Sequence, residues 1–492
     1  MRGFLAVGLL AGVTVAAAID VPKTWDEQAL HDWATPVAGL NVRPGHFSEA
    51  EYYRAPVDNL RTYPVYYPGR EPDGYWEMLQ SVGPKPLIEP ATLNTDADWI
   101  RAGQRVFEEF DAPGFRTMDP TFIGRARLAE SFAKSAVKPN PDGTLPDLRW
   151  VPTAKGVALG LVNCAECHVN TLPDGTRVVG APTNEPGSPL GRFGIGIWAA
   201  SPFPLPNHTL PESAWRSWAV PWLSDDVHAP LRSMPINQVG PIFGAAARPG
   251  LFPRWNGSGI YPTKIPDLIG MRERKYIDAT ATHQHRGPGD LMRYAALVTY
   301  SDSSDFGPHQ LLPEELRHVP FRAPDEALYA LARYIYSLEP PPNPHLSDTR
   351  IPAGRALFEK QGCAGCHTPP LYTNNKLTLA QGFTPPPEHF KMLDILNVSV
   401  GTDPGLALKT RKGTGYYKVP SLKGVWYRGH YLHDGSVTSL EEMFNPARLE
   451  DTFAPSGFNP PGVKTRAVKG HEFGLKLSSE DRAALVAFLK SL

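Results

Sequence analysis

Apolar side chains recur at helical spacing in separated stretches of this chain, and each stretch predicts a short amphipathic helix. The first begins near Asp96, and its apolar positions are Trp99, Gly103, Val106, Phe107 and Phe110. A second extends from Asp325 to Leu338 and ends before the proline-rich run 340–344, because proline lacks the amide donor that a helix needs. A last helix begins near Ser478, a suitable N-cap, and has an acidic first turn.

The helical pattern starts again at Gly354, Leu357 and Phe358, so the second half of the chain repeats the first in a more compact form. Between the helices the chain is rich in proline (53 residues) and glycine (44 residues), which predicts long, turn-rich loops rather than a regular sheet. Residues 19–95 are predicted to form an irregular extension that lies on the first domain. Residues 170–320 form a large insertion.

The N-terminus has the layout of an export signal. Arg2 supplies a positive charge, residues 4–15 are apolar, and the alanines at 16–18 form a small-residue cleavage site, so residues 1–18 are predicted to be a signal peptide. The apolar run is shorter than the roughly 20 residues that span a bilayer. An uncleaved anchor is the alternative. The expected product is periplasmic or secreted and not an integral membrane protein.

Composition narrows the possible functions. The 492 residues are enough for two or three domains, and 41% hydrophobic residues are enough for packed cores. The formal net charge is −1, so the chain has no overall basic character that would suggest a nucleic-acid partner.

All four cysteines lie in two copies of Cys-x-x-Cys-His. This spacing is typical of covalent c-type haem attachment, in which two thiols bond to the vinyl groups of one porphyrin and the histidine becomes the proximal iron ligand. Zinc sites are the alternative, but their cysteine pairs usually lie within about 20 residues of each other, whereas 199 residues separate Cys164 from Cys363. The sequence therefore predicts two haems, held by Cys164, Cys167 and His168 and by Cys363, Cys366 and His367. A short helix near residues 154–168 is predicted to carry the first of these motifs.

At these motifs and at several others, the chain resembles the bacterial di-haem cytochrome c peroxidase superfamily. That group includes the di-haem enzyme of tryptophylquinone maturation and the di-haem rubber oxygenases. Besides the haem motifs, the matching segments are Val400–Pro404, Lys418–Leu422, Tyr431–Ser436 and Gly470–Gly474. The resemblance covers residues 350–492 well and the first haem region less completely. The inter-haem insertion and the segment from Ile265 to Tyr276 are more similar to the rubber-oxygenase branch.

The resemblance implies a mainly α fold with two cytochrome c-like haem domains, long loops and a large insertion in the first domain. The expected boundaries are residues 96–340 for the N-terminal haem domain and 345–492 for the C-terminal one. It also implies an oxidoreductase in which the haem on His168 reacts with H2O2 or O2. The haem on His367 would exchange electrons with a small redox protein. A pure electron-transfer cytochrome and the redox subunit of a dehydrogenase complex are the alternatives.

A six-coordinate haem iron needs a second His, Met or Tyr ligand. For the C-terminal haem the first candidate is His471, because the flanking glycines 470 and 474 allow close approach of the backbone to a porphyrin. The alternatives are His433 and Met443. Hydrogen bonding that orders a turn would also explain His433, and core packing would also explain Met443.

Residues 271–300 are predicted to cover the distal face of the N-terminal haem. Their candidate side chains are Tyr276, His283, His285, Arg286, Met292 and Tyr294, with Tyr276, Tyr294 and His285 as the predicted catalytic residues. For residues 283–286 the alternative is a solvated loop. Glu166 lies inside the first haem motif and points along its helix, so the sequence offers no clear catalytic carboxylate for a peroxidase. An oxygenase, which favours an apolar distal pocket, remains compatible.

Two further sites follow from the resemblance. Trp198 is the candidate aromatic side chain for electron tunnelling between the haems, although a core role would also explain it. A Ca²⁺ ion between the domains is the second possibility, with Asp403 as its only carboxylate ligand.

Overall fold

The structure is a computed structural model and describes residues 19–113, 116, 139–160, 162–184, 209, 215, 220–246, 248–252, 260–300, 305–312, 314, 317–411 and 413–492. The helices in these ranges are α1 (Glu27–Trp33), α2 (Glu49–Arg54), α3 (Tyr75–Val82), α4 (Asp96–Glu109), α5 (Cys164–Cys167), α6 (Ile236–Ala246), α7 (Pro288–Tyr300), α8 (Asp325–Tyr336), α9 (Ile351–Lys360), α10 (His389–Met392), α11 (Gly405–Leu408), α12 (Val425–Arg428), α13 (Leu440–Met443) and α14 (Ser479–Lys490). The strands are β1 (Tyr63–Tyr66), β2 (Thr144–Thr153), β3 (Gly156–Gly160), β4 (Val169–Thr171), β5 (Arg177–Val179), β6 (Leu251–Phe252), β7 (Thr263–Lys264), β8 (Asp305–Phe306), β9 (His309–Gln310), β10 (Leu377–Leu379), β11 (Ile395–Ser399) and β12 (Tyr416–Lys418).

Helices outweigh strands, but the described residues also form two three-stranded sheets and several short hairpins, so the fold is more mixed than the predicted mainly α class. None of the described helices is long and apolar enough to cross a membrane.

Three helices begin where the sequence predicts. Thr95 and Asp98 form a capping box at the start of α4, each side chain accepting a hydrogen bond from the other's backbone amide. At α14 the side chain of Ser478 accepts from the amide of Asp481. Helix α8 begins at Asp325, after Pro324, and its apolar face is buried. These helix starts are confirmed because the signals that set them are local.

Two pairs of helices cross in the same way, one pair in each half of the chain. Helix α4 packs on α8, and α9 packs on α14. At each crossing a glycine allows the backbones to touch. A Cβ atom on Gly103 would lie 1.9 Å from the carbonyl oxygen of Ala330, and one on Gly354 would lie 2.0 Å from that of Ala484. Both distances are far shorter than any real contact, so only glycine fits at either crossing.

The repetition extends to the next turn of each helix. Phe107 lies four residues after the first crossing glycine and contacts the ring of Tyr334, with centroids 5.5 Å apart. Phe358 lies four residues after the second and contacts the ring of Phe488 at 5.3 Å. Both contacts are edge-to-face, the arrangement that aromatic quadrupoles favour. The two halves therefore share one helix-crossing unit, each unit associated with one haem motif.

The approach to the first haem motif differs from the prediction. The sequence suggested a short helix near 154–168, but residues 156–160 form β3, which pairs antiparallel with β2 from Thr153↔Gly156 to Arg149↔Gly160. Gly156 has φ +126°, a conformation that favours glycine, and so closes the tight turn of this hairpin. Strand β1 of the extension adds to the other edge of β2. Only residues 164–167 of the motif are helical.

Residues 19–95 contain α1, α2, α3 and β1 and are therefore more regular than the predicted irregular extension. They pack on the first half of the chain: Trp25, Trp33 and Tyr52 are buried in one core cluster with the residues of α4, α7 and α8. Backbone bonds join the same parts, since the amide of Thr35 donates to the carbonyl of Thr282 at 2.9 Å and that of Gln284 to the carbonyl of Trp33 at 3.0 Å.

Candidate haem sites

The second haem motif lies directly after α9. Gly362 adopts a left-handed conformation that ends the helix, and Cys363–Gly365 form a single 3-10 turn. Cys363, Cys366 and His367 line one large cavity, and His471 lines it as well. Burial raises the pKa of both thiols.

His367 is oriented by backbone carbonyls. Its Nδ1 lies 3.1 Å from the carbonyl oxygen of Pro420 and 3.2 Å from that of Tyr372, and therefore carries the proton and donates. This leaves Nε2 with its lone pair free to bind a metal. Burial lowers the pKa of His367 and so favours the neutral imidazole that ligation requires.

His471 faces His367 across this cavity. The ring centroids lie 6.2 Å apart and the planes are inclined by 63°. Two imidazoles on opposite sides of one metal, each bonded at about 2 Å, have ring centres roughly 6 Å apart. Burial is the main cause that lowers the pKa of His471 to about 4, with repulsion from His367 adding to it. The pair therefore fits the two axial ligands of one haem iron.

The loop that carries His471 is held by a buried arginine that the sequence analysis did not identify. The guanidinium of Arg448 is fully buried and donates to the carbonyls of Met443 (2.9 Å), Gly470 (3.0 Å), His471 (2.8 Å) and Val468. The loop also needs a left-handed backbone, with φ +83° at Gly470 and +49° at His471. Arg448 therefore fixes an otherwise unfavourable loop in front of His367.

The two alternative ligands lie in the same cavity wall. His433 contacts the ring of Tyr417, with centroids 5.2 Å apart, and its Nε2 is 3.9 Å from the carboxylate of Asp403. Met443 is buried in a core cluster with Leu440 and Leu485. Each side chain therefore has packing or polar contacts within the protein, which offer an explanation for it other than iron ligation.

The first haem motif forms α5. Asn163 caps it by accepting a hydrogen bond from the amide of Glu166 at 3.1 Å. The carbonyl of His168 accepts from Gly180 at 2.7 Å, which ties the motif to the β4–β5 hairpin. Burial raises the pKa of Cys164 to about 12. Ala165 belongs to the main core cluster of the first half.

Tyr276 does not lie where the prediction placed it. It was expected on the distal side of the N-terminal haem, but it lines the cavity of the second haem motif. Its hydroxyl accepts a hydrogen bond from the amide of Asp394 at 3.1 Å. The backbone reverses after Tyr276 and returns beside it, since Tyr276 and Gln284 form an antiparallel bridge. Position in the chain alone could not show which cavity the tyrosine side chain lines.

The histidines at 283 and 285 are buried, so the solvated-loop alternative is wrong for them. His283 packs on Trp33 of the extension, with centroids 4.1 Å apart. Both ring nitrogens of His285 are used, Nδ1 by the carbonyl of Arg274 at 2.8 Å and Nε2 by the hydroxyl of Tyr336 at 2.6 Å. His285 therefore has a structural role in this arrangement. Arg286 is exposed and forms an ion pair with Asp290 at 2.8 Å.

Tyr294 lies in the half of the molecule that contains the first haem motif, as the prediction requires. Its hydroxyl donates to Asp278 at 3.0 Å, and its ring lies 5.6 Å from that of His283. It belongs to the core cluster that contains Ala165 and Val169, the residues within and after the first haem motif. Met292 is fully buried in this cluster too, as a packing residue.

Two predicted features gain no support. Trp198 lies outside the described residues. The side chain of Asp403 is mostly exposed and accepts from the amide of Gly405 at 2.8 Å. Nowhere in the described ranges do three His, Cys, Asp or Glu side chains converge as a metal site would require.

Residues 415–454 match the family described as RoxA-like, cytochrome c-like. The chain is also 29% identical over 163 residues to the cytochrome-c peroxidase IdrP1 of Pseudomonas sp. (strain SCT), a match that covers 30% of this chain and 40% of that protein. A second IdrP1, from Denitromonas iodatirespirans, is 29% identical over 157 residues and covers 28% of this chain and 39% of its own length. The chain thus spans about 40% of the length of these curated relatives.

Two solved structures are similar at lower levels. The di-haem peroxidase BthA from Burkholderia thailandensis is 17% identical, with a TM-score of 0.26, covering 57% of this chain and 86% of that one. A MauG-like protein associated with microbial copper homeostasis is 16% identical, with a TM-score of 0.31, covering 50% and 79%. The family match and the peroxidase relatives confirm the predicted resemblance to the bacterial di-haem cytochrome c peroxidase superfamily.

Proposed function

We propose that this relative of the di-haem cytochrome c peroxidases is an exported oxidoreductase with two covalently attached c-type haems. Peroxide or dioxygen reacts at the N-terminal haem, held by Cys164, Cys167 and His168. Electrons pass through the C-terminal haem, held by Cys363, Cys366 and His367. The observation that carries this division is the pairing of His367 with His471 across one cavity at 6.2 Å.

Two axial histidines leave an iron no open position for a substrate. The C-terminal site is therefore suited to electron transfer. Its ligands are held rigidly: the carbonyls of Tyr372 and Pro420 orient His367, and Arg448 clamps the loop of His471. Such fixed second-sphere contacts keep the ligand geometry the same when the charge on the site changes.

The arrangement around the first motif supports an open distal face. Among the three predicted catalytic residues of segment 271–300, Tyr276 lies at the other cavity and His285 uses both ring nitrogens in protein contacts. Tyr294 remains, with its hydroxyl on Asp278. We assign this pair the role of holding a proton near the distal side, since proton delivery to the leaving oxygen is what peroxide cleavage needs.

A haem iron with one open position supplies the binding and reduction of the oxidant. For peroxide, one H2O2 takes up two electrons and two protons and yields two molecules of water. The electrons come from a reduced small redox protein, and the names of the curated relatives favour this peroxidase chemistry over oxygen chemistry.

The test is a steady-state assay of the exported, haem-loaded protein. We expect it to oxidise a reduced small c-type cytochrome when H2O2 is added, and a Cys164→Ala/Cys167→Ala variant to lose this activity while it keeps the second haem. Consumption of O2 with an organic substrate, without peroxidase turnover, would instead support the oxygenase. A protein that does neither, although both haems are attached, would be an electron carrier and would contradict the proposal.

A further inference from the structure

Four basic side chains gather on one wall of the cavity that contains the second haem motif. This group, which we name the basic cluster, consists of Lys264, Arg274, Lys418 and Arg428. The same cavity is lined by both cysteines of the motif and by His367 and His471. Among the described residues that line it, Asp267 is the only carboxylate. Such a surplus of cations inside a cavity requires an explanation.

The cluster joins two parts of the chain. Lys264 and Arg274 belong to the inter-haem insertion, whereas Lys418 and Arg428 belong to β12 and α12 of the C-terminal half. Asp267 lies between the two arginines, 2.9 Å from Arg428 and 3.5 Å from Arg274. Both arginine side chains are only 11% exposed. These two cations therefore share a single carboxylate.

Among the described residues, the hydrogen bonds of the two lysines go to carbonyl oxygens. The ammonium of Lys418 donates to the carbonyls of Ile277 at 2.7 Å and Tyr276 at 3.2 Å, and that of Lys264 donates to the carbonyl of His430 at 3.1 Å. An ammonium group has three donors. The contacts to carbonyls position the lysines but do not neutralise their charge.

Without a bound anion, the positive charges of the basic cluster are electrostatically unfavourable. Burial is the main cause that lowers the pKa of Lys264 to about 8 and that of Lys418 to about 7, and neighbouring arginines lower both further. The carboxylate that acts on Lys264 is Asp267, and the one that acts on Lys418 is Asp278. When all four basic side chains are protonated, four cations face two carboxylates, which leaves two positive charges in excess. Buried charges are stable only when they are paired.

We propose that the basic cluster binds the two propionate carboxylates of the C-terminal haem. This inference rests on the proposed attachment of haem to Cys363 and Cys366. Those cysteines hold the vinyl-bearing edge of the porphyrin, and its two propionates leave from the opposite edge. Two carboxylates balance the excess of two positive charges. Because the cluster contains residues from both the inter-haem insertion and the C-terminal half, its binding to the propionates also holds these two parts of the chain together.

A consequence follows for the reduction potential. A cation near the iron disfavours the ferric state, which carries one more positive charge than the ferrous state. Removing one lysine should therefore shift the midpoint potential of the low-spin haem to a more negative value. Removing both should shift it further. Lys423 offers a matched control, since it lies on the same segment as Lys418 and Arg428 but is exposed and pairs with Glu273 at 3.6 Å.

The experiment compares the haem-loaded wild type with Lys264→Gln, Lys418→Gln, the double variant and Lys423→Gln. Intact mass and far-ultraviolet circular dichroism establish haem content and folding. Redox titration and resonance Raman spectra of the propionate bending modes are then measured. We expect negative potential shifts and altered propionate bands in the cluster variants, larger in the double variant, and wild-type behaviour in Lys423→Gln.

Unchanged potential and propionate bands in a fully loaded double variant would overturn the inference. If the lysine variants do not load haem, a crystal structure of the loaded wild type decides: propionates bonded to the cluster support the inference, and propionates directed elsewhere refute it. A wild type without haem on Cys363 and Cys366 would instead refute the proposed function itself.

Discussion

His367 and His471 are 104 positions apart in the chain, yet their rings face each other at 6.2 Å across one cavity. The first ring is oriented through Nδ1 by two backbone carbonyls. The ring of His471 belongs to a loop with left-handed backbone conformation, and the buried side chain of Arg448 holds this loop through hydrogen bonds. The proposed division of roles between the two haems rests on this relationship.

The first prediction concerns the ligand itself. In His471→Ala the C-terminal iron loses one of its two axial imidazoles, so we expect its low-spin optical and EPR signals to be replaced by high-spin ones. Added imidazole should restore them. His433→Ala, which changes another histidine of the same cavity, should keep the wild-type spectrum. The ligand assignment is wrong if these two variants behave the other way round.

The second prediction concerns the clamp on the ligand loop. Arg448→Lys keeps the charge but cannot reach four carbonyl groups, so at least one buried acceptor loses its partner. We expect the free energy of unfolding to fall by about 3 kcal/mol and the low-spin signal to become heterogeneous. Denaturant titration and EPR measure the two effects.

Arg350→Lys is the control for this clamp, since Arg350 lies on the surface and pairs only with Asp348. Its effect should be below about 0.5 kcal/mol. An Arg448 variant as stable as this control, with an unchanged low-spin signal, would show that the loop does not need the clamp.

A third prediction tests the repeated helix crossing. Gly103→Ala and Gly354→Ala would each place a methyl group within 2.0 Å of a backbone oxygen, so the helices must separate. We expect each to lower the free energy of unfolding by about 2 kcal/mol or more. For Gly240→Ala in α6, no described atom outside the glycine's own stretch of helix lies within 4 Å of the added methyl, so this variant should be neutral or slightly stabilising. Thermal unfolding of the three variants measures this, and equal effects at all three sites would contradict it.

A fourth prediction concerns pH. His228 is buried, and burial lowers its pKa to about 4, below the ordinary value of 6.5. Between these values the unfolded chain binds a proton that the folded chain does not bind. Stability should therefore be lost as the pH falls through this window, by up to about 3 kcal/mol from this residue.

Denaturant midpoints at about pH 5 and about pH 7.5 measure the effect. In His228→Gln the difference between the two midpoints should shrink, because the titrating group is gone. His31→Gln, which removes an imidazole that is 73% exposed, should keep the wild-type difference. An unchanged pH dependence in His228→Gln would refute this assignment.

The sequence predicted those parts of the fold that depend on neighbouring residues. Helix α4 begins at its capping box and α14 at Ser478, because caps and apolar periodicity act within a few positions. The β2–β3 hairpin is not predicted, because the sequence suggests a helix over residues 154–168 instead. Strand pairing depends on partners that periodicity does not show. The packing of Trp33 on His283 joins residues 250 positions apart and was equally invisible.

The same difference between local and long-range signals explains which residues of the candidate sites could be predicted. The haem motifs are contiguous and could be identified from spacing alone. His471 was identified from its flanking glycines, but its position opposite His367 needed the fold. The sequence places Tyr276 at the N-terminal haem, whereas its side chain lines the cavity of the second haem motif, because position in the chain does not show which cavity a side chain lines. Arg448 and the basic cluster were not found, since isolated Arg and Lys residues carry no local signal of burial.

The EPR spectrum of the fully oxidised, haem-loaded protein tests the central claim most directly. We predict two haems in different states: one low-spin, with His367 and His471 as axial ligands, and one high-spin, with an open position for H2O2 or O2. Two low-spin haems in this spectrum, with optical bands that stay low-spin after reduction, would contradict the division of roles and leave a pure electron carrier.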